Sequence, residues 1–486
     1  MGLGADYDSR DAVGLAKLVA SGEVYPAELL DEALERARER NPAINALASV
    51  REDAARKILR DGPPDGPFRG VPFLLKDLGA AAVDFPGSNG SFLLKDTRYA
   101  ANSSVVDRLL AAGLVVFGRT TAPEGGVGTG TEAAVYGGPT RNPWNLGRTS
   151  GGSSGGASAA VSAGIVPAAH GSDGGGSIRT PASSCGLFGF KATRARAPSG
   201  PQSGEGWAGM STDGFLTRTV RDTAALLDAV SGPDVGAPYH APPMRGTFSE
   251  AMRRPPQPLR IALCAGTFDG GKVHPDCAEA TEDAARMLEG LGHKAEEAKP
   301  AADHSGMMQA WTRIVACGTA SWVRRALQAA GREIRPGDIE GVARGACRLA
   351  EGISGADYLD SVNKVHAYGR EMERFMHDGG WDILLSPTLA EPPAEVGRFA
   401  HDNEDFVDFR TGERGVFPYS PFTACFNASG QPAASLPLGT SADGLPVGVH
   451  VAARFGADEL LMGLCAQAEA ERPWKDKRPP LSAPQS

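Results

Sequence analysis

Apolar side chains recur at helical spacing near the start of the chain, at Val13, Leu15, Ala16, Leu18 and Val19. This predicts a helix from Ser9 to about Ala20, with Ser9 as its N-cap. A second helix is predicted to begin at Pro26, a residue favoured in the first turn, and to end near Asn41 and Pro42. The pattern then changes. "GVPFLLKDL" (70–78) is almost continuously apolar, as a strand covered on both faces of a sheet is. "LVVFGRT" (114–120) repeats that signature after a helical stretch over 105–112. Small residues over 156–164 predict a buried helix, and 219–230 an amphipathic one. "LRIALC" (259–264) and "WDILLSP" (381–387) read as strands, with polar-faced helices filling much of 275–374 between them. "PAASLPLG" and "LPVGVHVAA" read as two adjacent strands, and 458–471 as a closing helix. Strands alternating with helices indicate an α/β domain.

A chain of 486 residues has room for about three domains. No repeat and no low-complexity linker divides it, however, and the strongest break is the Pro/Gly-rich stretch 232–258. The expected organisation is therefore one large domain over 1–486. An N-terminal helical region (1–66) precedes a core (67–231), a variable helix-rich peripheral region (232–374) and a return to the core sheet (375–486). The net charge of −9 and the lack of a Lys/Arg block argue against nucleic acid or an anionic membrane surface as partner. "MGLGADYDSR" has neither the basic leader nor the apolar core of a secretory signal, and Asp6 breaks the myristoylation pattern. No apolar run approaches the roughly 20 residues that span a bilayer, so a cytoplasmic protein is expected. Seven scattered cysteines without CxxC and nine histidines without HExxH predict no disulfide framework, no metal site and no cofactor.

Two glycine-serine knots lie about twenty residues apart, "GGSSGG" from Gly151 and "GSDGGGS" from Gly171. Flexible linkers of this composition have polar surroundings, whereas these knots are short and flanked by element-forming sequence. "GGSSG" fits the nucleophile elbow at Ser153 and "GSSGG" fits it at Ser154, but "RNPWNLGRTS" ahead of them is a poor strand and no histidine stands out as base. A phosphate loop would need a Lys after its last glycine, and none is there. Successive amides over Gly174, Gly175 and Gly176 could form an anion-holding nest, suited to the oxyanion of acyl transfer with a serine at its end.

These residues resemble a known pattern. "GGSSGG" followed by "HGSDGGGSIRTPASSCGLFGFKAT" looks like the signature of the amidase signature family. "GVPFLLKDL" is similar to the family's lysine segment, "RNPWN" stands before the first knot as it does there, and "FNASGQPAASLPLG" with "GLPVGVHV" resembles its C-terminal sheet region. The likeness runs from about Asn41 to Glu471 and is weakest over 232–374. It implies a large mixed β-sheet surrounded by helices, with a peripheral helical subdomain. It also implies a cofactor-free hydrolase of non-peptide amide bonds that works through an acyl-enzyme.

The roles implied are Ser177 as nucleophile, Ser153 as proton relay and Lys76 as base, with a cis peptide bond between Gly152 and Ser153. Serine needs such a base, and lysine can serve only when neutral, a state that burial favours. By itself Lys76 reads as a surface lysine ending a strand; the two knots argue for the buried alternative. Alternation along that strand points Asp77 away from Lys76. The amides of Gly174, Gly175, Gly176 and Ser177 are implied as the oxyanion hole, with Ser154, Asp173 and Arg179 supporting the loops. Val127 and Gly128 are implied at the substrate pocket, and Cys317 (in "VACGTASW") is implied either there or as a buried core cysteine. Gly174 departs from the family, which more often has a side chain there. "TRNPWNLGR" and the C-terminal half point to a small-molecule amide of the 6-aminohexanoate type, cyclic or linear. Aryl acylamides and carbamates are the alternatives within the class. The rival of another class is a glutamine-dependent amidotransferase subunit acting in a complex, and a further rival is a non-catalytic binding protein on the same fold. The resemblance allows a homodimer, although the sequence shows no interface.

Overall fold

A computed structural model describes residues 3–482. Its strands, in chain order, are β1 (Leu47–Val50), β2 (Pro72–Lys76), β3 (Val115–Thr120), β4 (Arg141–Asn142), β5 (Asn145–Thr149), β6 (Ala168–Asp173), β7 (Phe188–Lys191), β8 (Thr212–Thr217), β9 (Arg260–Leu263), β10 (Lys294–Glu297), β11 (Ile383–Pro387), β12 (Ala433–Thr440) and β13 (Pro446–Ala453). Eleven of them form one mixed sheet in the order β1-β3-β2-β6-β8-β7-β12-β13-β11-β9-β10, while β4 and β5 form a separate ribbon. β2 lies parallel to both β3 and β6; the central strands from β6 through β8, β7, β12 and β13 to β11 are antiparallel.

The apolar runs became the sheet's interior. Every residue of β2, β3, β11 and β13 is buried. Helices cover both faces, as strands of this composition require. The run of small residues forms the helix Gly155–Ser162, buried at every position. A Cβ on Gly156 would lie 2.4 Å from the backbone nitrogen of Thr121, so this helix sits against β3 only because its contact residues are small. A second apolar core forms where the helices His304–Ala330, Gly341–Glu351 and Gly355–Asp378 pack beside the sheet; Trp311, Phe406 and Phe417 belong to it.

Several expectations change in detail. Ser9 ends a separate short helix, Leu3–Ser9, and the next helix, Ala12–Ser21, is capped by Asp11, whose carboxylate accepts the Gly14 N–H at 2.8 Å. The helix from Pro26 continues to Ile44, with Pro42 inside its last turn. "RNPWNLGRTS", read as a poor strand, forms the short β4–β5 ribbon apart from the main sheet. Within 232–374 the strand expected at 259–264 is β9, and an additional strand, β10, pairs with it at the edge of the main sheet. The pattern of "AAHGSD" gave no sign of a strand, yet it forms β6 beside β2.

Candidate active site

Three segments meet at the ends of the parallel strands β2 and β6. The first is the end of β2, where Lys76 follows a run of buried apolar residues and is itself fully enclosed. Its Nζ donates to Ser153 Oγ at 2.7 Å and to Ser172 Oγ at 3.0 Å. Burial pushes the Lys76 ammonium down to about 7, against weaker opposing pulls from Asp173 and Asp213. Asp77 faces elsewhere: its carboxylate accepts from the Ser88 N–H at 2.8 Å and from the Tyr136 hydroxyl at 2.8 Å. The strand alternation expected of this pair is thus present.

The second segment is the turn before the buried helix. The Gly152–Ser153 peptide is cis, and Ser153 is buried. Ser154 joins this turn to the third segment. Its N–H donates to the Ser177 carbonyl at 3.2 Å, its Oγ donates to the Ser172 carbonyl at 3.2 Å, and it accepts the Ser172 N–H at 3.3 Å.

The third segment leaves β6 at Asp173. Its carboxylate accepts the N–H groups of Gly176 (2.7 Å) and Ile178 (3.1 Å), closing the loop on itself. The Arg179 guanidinium completes a two-point pair, Nε to Oδ2 at 3.0 Å and Nη2 to Oδ1 at 2.9 Å, with both side chains wholly buried. Burial by itself would raise the Asp173 carboxyl; the facing Arg179 charge, with hydrogen bonds from Arg179 and Asn427, holds it well below the usual range. Arg179 also contacts His450 Nε2 at 3.0 Å, and burial beside that cation keeps His450 neutral.

One expectation needs correction. The Gly176 N–H is taken by Asp173, so it is not a donor for an oxyanion. Among the described residues, the N–H groups of Gly174, Gly175 and Ser177 donate to no protein acceptor. The three glycines have separate steric causes. A Cβ on Gly174 would come within 2.7 Å of the Trp207 ring, one on Gly175 within 2.1 Å of Trp311, and one on Gly176 within 2.2 Å of Thr423 Oγ1. Gly174 is therefore matched by Trp207, which occupies the space a side chain there would need.

Ser177 lines a cleft enclosing about 340 Å³ outside the protein atoms, part of it open to solvent. Val127, Gly128, Trp207, Trp311 and Arg410 line it too. Cys317 does not line it. It sits half-buried on His304–Ala330, and burial raises its thiol. The Lys76–Ser153 hydrogen bond is closed, whereas no hydrogen bond joins Ser153 to Ser177 and the Ser177 hydroxyl has no protein partner among the described residues.

Sequence reasoning missed Ser172, Thr423, Asn427 and the aromatic wall. Asn427 holds Asp173 and the Met210 carbonyl, and Thr423 Oγ1 donates to the Gly175 carbonyl at 2.7 Å. The available signal was a lone polar Asn inside the apolar run "ACFNA", whose amide must find partners once buried.

An eleven-stranded mixed sheet wrapped in helices, with two serine loops over a buried lysine, narrows the class. The amidase family profile matches residues 28–462, and the chain belongs to the amidase signature family. It is an amide-hydrolysing enzyme. The chain is similar to the 6-aminohexanoate-cyclic-dimer hydrolase of Paenarthrobacter ureafaciens, 37% identical over 484 residues, which covers 98% of this chain and 97% of that one. It is also similar to an acylamidase of Rhodococcus erythropolis, 35% identical over 482 residues, covering 96% of each. A solved structure of 6-aminohexanoate cyclic dimer hydrolase complexed with substrate superposes with a TM-score of 0.91 at 35% identity, covering 98% of this chain and 99% of that chain. No helix among the described residues is long and apolar enough to cross a membrane.

Proposed function

We propose that the enzyme cleaves non-peptide amides through Ser177, Ser153 and Lys76, and that 6-aminohexanoate-type amides are among its substrates. The observation that carries this reading is Lys76, displaced by burial to about 7 and hydrogen-bonded at 2.7 Å to a serine whose loop is tied by Ser154 to the loop bearing Ser177. In the proposed sequence Ser177 Oγ attacks the amide carbon and gives its proton to Ser153 Oγ, as Ser153 passes its own to neutral Lys76. The carbonyl oxygen, now an anion, is received by free amides from Gly174, Gly175 and Ser177. Lys76 returns the proton through Ser153 to the departing nitrogen, leaving an ester on Ser177. Water then attacks the ester and the same route runs again to release the acid. The first proton transfer requires the Ser177 and Ser153 hydroxyls to come within hydrogen-bond reach of one another.

The acylamidase relative favours a broader second reading, in which aryl and alkyl acylamides share the cleft. The test is a panel containing the 6-aminohexanoate cyclic dimer, linear aliphatic amides, anilides, an aryl carbamate and glutamine, incubated with wild type and Ser177→Ala and followed by mass spectrometry. Turnover should fall at least about a thousandfold in the variant, with the melting transition kept. Ser177→Ala that keeps its activity would refute the triad. Ser177-dependent cleavage of anilides without the cyclic dimer would establish the broader reading, and cleavage of glutamine alone the amidotransferase one.

A further inference from the structure

The cleft that Ser177 lines also holds a cation with no counter-charge among the described residues. Arg410, on the short helix Phe406–Thr411, is 2% exposed and lines the same cleft as Ser177. Its Nε donates to Thr312 Oγ1 at 3.1 Å. Its two terminal nitrogens donate to no protein acceptor among the described residues, and Nη2 is fully enclosed. Three rings surround the guanidinium, with Trp311 at 4.3 Å, Phe417 at 4.7 Å and Phe406 at 5.5 Å from its carbon. Ring faces supply part of the missing negative potential. They accept no strong hydrogen bond, so the fork of donors remains unfilled. No carboxylate among the described residues pairs with it, and burial pushes its guanidinium down to about 9, which leaves it charged near neutrality.

Buried charges in folded proteins are ordinarily paired. Arg179 satisfies that rule with Asp173 in the same protein. A guanidinium fork suits one ligand group above others, a carboxylate held by two parallel hydrogen bonds. We infer that Arg410 is a substrate-recognition residue and that the enzyme selects amides carrying a carboxylate on one arm, such as linear ω-amino acid oligomers. The inference rests on the catalytic reading only in placing the cleft as the substrate site. The carboxylate takes no part in bond breaking; it fixes which amide lies over Ser177. A neutral cyclic amide would leave the fork empty and would bind more weakly than its linear counterpart.

Binding separates this idea from the chemistry. Ser177→Ala, unable to turn substrate over, is titrated by calorimetry with the linear dimer of 6-aminohexanoate and with its terminal-alcohol analogue, which keeps the length and loses the charge. Adipic acid monoanilide and hexananilide form a second pair, with the charge on the acyl arm. In at least one pair the carboxylate should bind at least about tenfold more tightly, because an unmatched buried charge is expensive to leave empty. Adding Arg410→Met should remove that difference, while Arg410→Lys should keep a reduced part of it. The alcohol or neutral anilide should bind alike to all variants that melt as the parent does. Equal affinity within both pairs, no binding of any of the four, or a preference that survives Arg410→Met would each overturn the assignment. The first pair of titrations needs no Arg410 variant, so a variant that fails to fold leaves the idea testable. Activity retained by Ser177→Ala would instead refute the catalytic reading and leave the binding result standing.

Discussion

On one side of the cleft the loop from Asp173 to Arg179 leaves no charge without its opposite. Asp173 is held by Arg179, Asn427 and two backbone N–H groups, and Arg179 is shared further with the Thr423 carbonyl and His450. Elsewhere in the cleft lining Arg410 has one hydroxyl and three rings. Both arginines are buried, but of the two only Arg410 lines the cleft. The difference separates two uses of a buried cation. A fully matched one fixes backbone, here the turn that carries Ser177; an unmatched one leaves donors for something the chain does not supply.

The strongest way to break this comparison is to remove each arginine in turn. Arg179→Met leaves the Asp173 carboxylate buried without the cation paired to it, though still hydrogen-bonded by Asn427 and two backbone N–H groups, and the loss should be about 3–5 kcal/mol. Arg410→Met orphans no carboxylate, so its loss should be clearly smaller. Denaturant unfolding of the two variants measures both. Equal losses would mean that Arg410 is as structural as Arg179.

Next in size is the nest itself. Gly175→Ala drives a Cβ toward Trp311, a ring that is 5% exposed and stacked on Phe417 at 5.3 Å between centroids. Overpacking of this kind typically costs about 1–3 kcal/mol. Because Gly175 supplies one of the proposed oxyanion amides, kcat should fall more than stability does. Gly174→Ala meets Trp207, which is only partly buried and has room to turn aside, so the same assays should show a milder effect. A Gly174→Ala variant as impaired as Gly175→Ala would show that Trp207 is fixed as firmly as Trp311.

How far the sequence discloses these walls follows from the kind of signal each carries. β2, β3, β11 and β13 are legible because strands covered on both faces must be apolar throughout. The lysine at the end of β2 and the two serine knots are legible because their spacing matches a family pattern. β6 is not, since "AAHGSD" spends its positions on turning and on hydrogen bonds to the neighbouring loop. Its pairing with β8 is set by distant partners, from Asp173 with Thr212 to Ala168 with Thr217. The role of Gly176 is equally hidden: glycine at a nest suggests a free amide, and only the fold shows Asp173 reaching back to take it. Arg410 lies beyond either signal. "VDFRTGER" looks like an exposed charged helix, and its burial depends on aromatic rings from two other segments. Cys317 shows the opposite failure. A motif put it near the pocket, but its neighbour Gly318 is the residue that meets Trp207, while the thiol stays out of the cleft.

The smallest predicted effect is also the most graded. If neutral Lys76 is the proton acceptor, kcat/KM should rise with pH through about 7 and level above it. The direction follows from the charge. Lowering the pH adds a proton to Lys76, the ammonium cannot accept one from Ser153, and activity should drop about tenfold per unit on the acid side. Asp173 remains charged and His450 neutral across that range, so neither contributes a step. Other buried groups are displaced into that range, Lys191, Glu124 and Glu469 among them. Lys191, which donates only to the Ala192 carbonyl at 3.0 Å, is pushed by burial to about 7, and so is the Glu124 carboxyl. Neither lines the cleft, and both serve as controls. The acid limb should keep its midpoint in Lys191→Met and in Glu124→Gln. A limb that disappears in Lys191→Met would place the essential proton in the wall shared with Arg179 and Asp173, and would take from Lys76 the role of base.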